Sequence, residues 1–120
     1  MIGYTPHMGH ASLERRKALR VAVSLTVEVR LGRNFTLHST RDLSIGGLFF
    51  DRAIPHPVGT IVHLAFRLPQ DSAPIRCEGE VMNVPNAQGY GMGIRFSQML
   101  EDDVERLEAF VHEMNSGAHS

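Results

Sequence analysis

The sequence predicts a mainly β domain: short antiparallel strands forming a small barrel, with one helix packed on it. Three observations predict this class. From Val21 to Leu31 apolar residues alternate with smaller or polar ones, the period of a half-buried strand. Turn residues then recur at short intervals, at Gly32-Arg33-Asn34, Pro55-His56-Pro57, Pro69 to Pro74 and Pro85-Asn86. Near the end the period changes. Leu100, Val104, Leu107, Val111 and Met114 recur at spacings of three and four, with Phe110 beside them, and make one apolar helical face.

The elements follow in order. Residues 1–13 carry Gly3, Pro6 and Gly9 without sustained periodicity and are expected to form a flexible tail. A basic segment, Arg15 to Arg20, leads into the first strand. Phe35 to Leu43 reads as its return strand. Ser44-Ile45-Gly46-Gly47 interrupts the pattern and Leu48-Phe49-Phe50 resumes it. Ile61 to Leu68, Ile75 to Val84 and Gly91 to Phe96 are the remaining strands. Ser97 is the expected N-cap of the helix. Glu101, Asp102 and Asp103 put negative charge near its positive end, and Gly117 is its expected stop.

Composition narrows the function. A chain of 120 residues, 42% hydrophobic and 21% charged, makes one domain with a modest core, here residues 14–115. The net charge of -1 excludes a general positive field that would gather nucleic acid. Any anion must instead be held by a local cluster drawn from the 12 basic residues. The single Cys77 excludes an internal disulfide and reads as a small buried hydrophobe. No apolar run approaches the ~18 residues of a membrane span. Met1 to Ser12 lacks the charged start and apolar stretch of a signal peptide, so a cytoplasmic location is expected. The seven histidines lack metal-site spacing, and no nucleophile elbow is present. No catalytic residue, metal or cofactor is assigned, and the chain is read as a binding protein, not an enzyme.

Two segments fit strand physics poorly. Arg15, Arg16 and Arg20 crowd positive charge just before the first strand. Asp42-Leu43-Ser44-Ile45-Gly46-Gly47 places an acid, a hydroxyl and two glycines where a sheet should continue. Glycine within a strand marks a bulge or a close backbone approach. Taken alone, the first is a solvated basic linker and the second a plain bend. Together they could line a pocket that offers donors, acceptors and bare backbone to a ligand with phosphates and purine edges.

These residues carry a specific resemblance. Arg16-Lys17-Ala18-Leu19-Arg20 and Asp42-Leu43-Ser44-Ile45-Gly46-Gly47 are similar to the two halves of the PilZ domain signature, R-x-x-x-R and [D/N]-x-S-x-x-G. Gly91-Met92-Gly93-Ile94-Arg95-Phe96 resembles the family's closing strand. The likeness runs from about Glu14 to about Phe110. It implies a six-stranded antiparallel β-barrel with a C-terminal helix, and cyclic di-GMP as the ligand.

The residues support that implication. Arg16 and Arg20 would clamp guanine and phosphate, because a guanidinium can bond guanine O6 and N7, stack on a purine or pair with phosphate. Asp42 and Ser44 would read a guanine edge, and Gly47 would let backbone approach closely. Arg15 is a candidate for a further phosphate contact, with Arg41 and Arg95 behind it. The expected function is a cyclic di-GMP receptor, monomer or homodimer, that changes conformation on binding and signals to an unidentified protein partner. The alternative within the family is an adaptor that binds no nucleotide. A single-stranded nucleic-acid binder would need exposed aromatics along a basic groove, and aromatics are only 7% of this chain, with no Trp.

Overall fold

The computed structural model describes residues 19–82 and 89–117. The predicted tail, Arg15 and Arg16 lie outside them. Among the described residues eight strands precede one helix: β1 (Arg20–Ala22), β2 (Thr26–Leu31), β3 (Asn34–Ser39), β4 (Asp42–Ser44), β5 (Gly47–Phe50), β6 (Ile61–Phe66), β7 (Ile75–Met82), β8 (Met92–Met99) and α1 (Glu101–Gly117). They form one antiparallel sheet in the order β1-β4-β5-β8-β7-β6-β2-β3. The predicted class holds: mainly β, antiparallel, with a C-terminal helix.

The expected six-stranded barrel is corrected to an eight-stranded open sheet whose edges are β1 and β3. The extra strands arise because two of the predicted ones are broken. The first strand bends at residues 23–25, which separates β1 from β2, and its return strand bends at residues 40–41, which separates β3 from β4. Each half of this kinked hairpin then faces a different neighbour: β4 pairs with β5, while β2 pairs with β6. Thr40 holds the bend. Its hydroxyl donates to the Val23 carbonyl at 2.6 Å and accepts from the Leu25 amide at 2.9 Å. Its own amide donates to the Leu25 carbonyl at 2.9 Å. Thr40→Val should therefore destabilise the domain by ~1–3 kcal/mol, because a buried amide loses its acceptor with the side-chain volume unchanged. Chemical denaturation measures this, and an unchanged midpoint would refute it.

The β2–β3 hairpin closes on a two-residue turn, with Leu31 paired to Asn34. Gly32 takes φ 61°, the left-handed value that a tight hairpin demands at its first turn position. Inward-facing residues pair across the sheet in one row: Val21 with Leu43, Leu43 with Leu48, Leu48 with Ile94, and Ile94 with Val81. All five are buried, and Phe50, Val62 and Ile75 extend the same core. Burying a side chain of this size contributes ~1.5–3 kcal/mol.

Leu107 and Val111 bury one face of α1, and Val104, Phe110 and Met114 pack at its margin. Leu100 precedes the helix and is 72% exposed, so the apolar stripe is one residue shorter than its spacing implied. Ser97 is not the N-cap; it lies within β8. The ladder shifts register there: Gly79 pairs with Phe96 and Glu78 with Gln98, which leaves Ser97 as the extra residue of a bulge. Because β7 still offers partners to Gln98 and Met99, the strand runs on and the helix starts later.

Arg106 fastens the first turn of α1 to the β6–β7 loop, bonding Asp103 at 2.8 Å and Asp71 at 3.0 Å. No helix among the described residues is long and apolar enough to cross a membrane. Cys77 is free and buried, as its position implied, and burial first, then Asp103, pushes its thiol up to about 12. It is a core residue and not a nucleophile.

Candidate ligand-binding site

Because the inward row is apolar, residues on either side of it point outward. One outward row runs Ala22, Asp42, Phe49, Gly93, Met82 across paired strands. In a second row Gly47 pairs with Arg95, and Arg95 with Glu80; Arg20 lies beyond, opposite Ser44 on β1 and β4. Two glycines, Gly47 and Gly93, sit mid-sheet where outward side chains would otherwise stand. The result is a cleft of about 840 Å³ between an Arg20–Asp42 wall and an Arg95–Met82 wall. That volume suits a small-molecule ligand.

The walls are charged. Arg20 Nη1 donates to Asp42 Oδ1 at 2.6 Å. Arg41 Nε donates to Asp42 Oδ2 at 3.1 Å, and its Nη2 lies at the same distance from that oxygen. The Arg41 guanidinium also sits over the Phe49 ring, 4.5 Å from its centroid. On the far wall Arg95 pairs with Glu80 at 2.5 Å. Three arginines thus face two carboxylates. The arginine side chains are half or more exposed, whereas Asp42 is only 14% exposed, so cationic groups dominate the mouth.

Ser44 is buried and its hydroxyl is committed to the bend. It accepts from the Gly46 amide at 3.2 Å and the Gly47 amide at 3.1 Å, and donates to the Gly47 carbonyl at 3.2 Å. Gly47 answers to a packing demand. A Cβ there would run into the Ile94 carbonyl oxygen and crowd Arg95 Cα. The β4–β5 bend therefore exists because Ser44 satisfies its amides and Gly47 lets β5 close against β8.

The structure brings Arg20, Asp42, Ser44 and Gly47 to one cleft; Arg15 and Arg16 fall outside the described residues. Sequence reasoning missed Phe49, Gly93 and Met82 as lining residues, and Glu80 as the partner of Arg95. Strand alternation could have found them once the register was known. A second cleft, of about 830 Å³, lies on the outer face of β2, β6, β7 and β8. There Glu28, Arg30, Arg76 and Glu78 alternate in sign, and Arg30 is bonded to Glu28 at 2.8 Å. His38 adds no cation near neutral pH, since burial and then His56 lower its pKa. Among the described residues no group of three or more potential ligands could hold a metal.

The outer face of this antiparallel sheet thus carries a cationic cleft with glycines at its floor. The PilZ domain family model matches residues 14–113, and the chain belongs to that family. No curated protein matches. Among solved structures, the chain is similar to the inhibitor of motility MotI/DgrA from Bacillus subtilis (TM-score 0.71, 20% identity), covering 82% of this chain and 50% of that one. The chain thus spans about half the length of the Bacillus protein. It is also similar to the PilZ domain of YcgR from Escherichia coli, solved with c-di-GMP (TM-score 0.65, 14% identity, 87% of this chain and 94% of that). A third likeness is to PlzA from Borreliella burgdorferi in complex with c-di-GMP (TM-score 0.61, 12% identity, 88% and 45%). At these identities the likeness is one of fold.

Proposed function

We propose that this chain is a cytoplasmic cyclic di-GMP receptor that binds the nucleotide in the Arg20–Asp42 cleft, does no chemistry on it, and signals through protein contacts. One observation carries the reading. Two sequence motifs 22 residues apart meet as an ion pair at 2.6 Å on the rim of a cleft lined by further arginines. Within these motifs the Arg20 and Asp42 side chains stand on the outward face, where closing the core does not call for them.

The roles follow from donors and acceptors. Arg20 clamps guanine and phosphate. Among the described residues each Asp42 oxygen bonds one arginine, and a further lone pair serves guanine N1–H and the N2 amine, the edge that adenine lacks. Ser44 and Gly47 shape the wall by holding the bend. Arg16 stands four residues before Arg20 in the chain, so even fully extended backbone keeps it within ~14 Å of the rim. Arg15 and Arg16 complete the clamp from that side. Ligand then draws the preceding segment onto the sheet, and the new surface is what a protein partner reads.

Calorimetric titration with cyclic di-GMP, beside GTP and cyclic di-AMP, tests the receptor reading. Binding of cyclic di-GMP alone is the expected result. Silence at high ligand concentration would overturn it in favour of the non-binding adaptor. Hydrogen exchange on the same samples tests the ordering step: residues 8–20 should gain protection with ligand, and equal protection in both states would refute the step.

A further inference from the structure

We infer that Arg41, which lies outside both halves of the signature, is a base-stacking platform: its guanidinium, backed by the Phe49 ring and fixed by Asp42, takes a planar nucleotide base on its open face. The inference rests on the receptor reading and adds a subsite to it.

Arg41 is the most constrained of the three cleft arginines. Its amide donates to the Phe49 carbonyl at 2.8 Å, which sets the backbone at the bend between β3 and β4. Its Nε and Nη2 both reach Asp42 Oδ2 at 3.1 Å. Its Cζ stands 4.5 Å from the Phe49 centroid. Among the described residues Arg20 and Arg95 each pair with one carboxylate and stand over no ring. The ring beneath and the carboxylate beside Arg41 leave its other face to the cleft, and the side chain is 59% exposed.

This arrangement exceeds what an exposed ion pair would need. A surface Arg–Asp contact contributes little and gives no reason for a buried aromatic beneath it. A guanidinium held against an aromatic ring has already lost the side-chain freedom that stacking would otherwise remove, so a purine meets a preorganised plane. Lysine would keep the charge and lose the plane.

The test compares full-chain wild type with Arg41→Lys, using Arg30→Lys in the second cleft as a control. Titration with cyclic di-GMP should show Arg41→Lys weaker by roughly tenfold or more, with Arg30→Lys unchanged. In the same titration the Arg41 Nε–H proton should move upfield under the ring current of a stacked base. Charge pairing alone would move it downfield. Equal affinity of wild type and Arg41→Lys, or a downfield or absent shift while wild type binds, overturns the platform and leaves the receptor reading standing. No binding by wild type removes both.

Discussion

Arg20→Ala should reduce cyclic di-GMP affinity by ~2–5 kcal/mol, about thirtyfold to several-thousandfold, while hardly changing the melting temperature. Both halves of that expectation come from the position of the residue. Arg20 opens β1 with its side chain outward and 51% exposed, and its bond to Asp42 at 2.6 Å is a rim contact. Exposed pairs of this kind contribute ~0–1 kcal/mol to stability. In the complex the same guanidinium would be covered by ligand, and its removal would leave guanine or phosphate acceptors desolvated and unpaired. Arg20→Lys should recover only part of the loss, since one ammonium cannot bond a base edge at two points. Calorimetry beside thermal denaturation separates the outcomes. Affinity equal to wild type in Arg20→Ala would place the ligand elsewhere. A large fall in melting temperature would mean that Arg20 supports the fold.

Gly47→Ala should have the opposite profile, with stability lost first and binding lost in consequence. The added Cβ meets backbone, the Ile94 carbonyl oxygen and Arg95 Cα, and backbone inside a ladder cannot rotate aside as a side chain can. Overpacking costs ~1–3 kcal/mol where side chains yield, and this contact belongs at the upper end or beyond. For a domain of this size ~3 kcal/mol corresponds to roughly 10 °C in melting temperature. An Ala variant that melts with wild type but fails to bind would instead make Gly47 a point of ligand approach. The comparison matters because a missing glycine in the second motif would otherwise be read as a missing ligand contact.

Much of the fold was legible in the alternation of apolar residues. Val27 and Val29, Val62 and Leu64, and Ile75, Cys77 and Val81 all lie inside, as a period of two requires. The pattern was silent where tertiary partners decide. Thr40 reads as one polar residue in a polar run, yet it bends the hairpin by bonding residues 15 and 17 positions away. Ser97 looks like a cap because Ser commonly caps helices, but β7 extends far enough to keep β8 in strand past it. Phe35 and Leu37 are apolar residues of the return strand and are 54% and 62% exposed, since β3 is an edge with β2 alone beside it among the described residues.

What the sequence determined by itself is the class of the domain, the family signature and the chemical types at the candidate site: cations before the first strand, then an acid, a hydroxyl and glycine at the bend. These are local properties of residue type and spacing. Only the tertiary structure decided how they are used. Register across β1, β4, β5, β8 and β7 put Arg20, Asp42 and Arg95 around one cleft, with Glu80 beside Arg95. It tied the Ser44 hydroxyl to the bend, made Gly47 a packing necessity and set Phe49 beneath Arg41. The reason is physical. Which strand lies beside which, and at what offset, is set by burial of the whole apolar face at once, and a single strand does not carry that information.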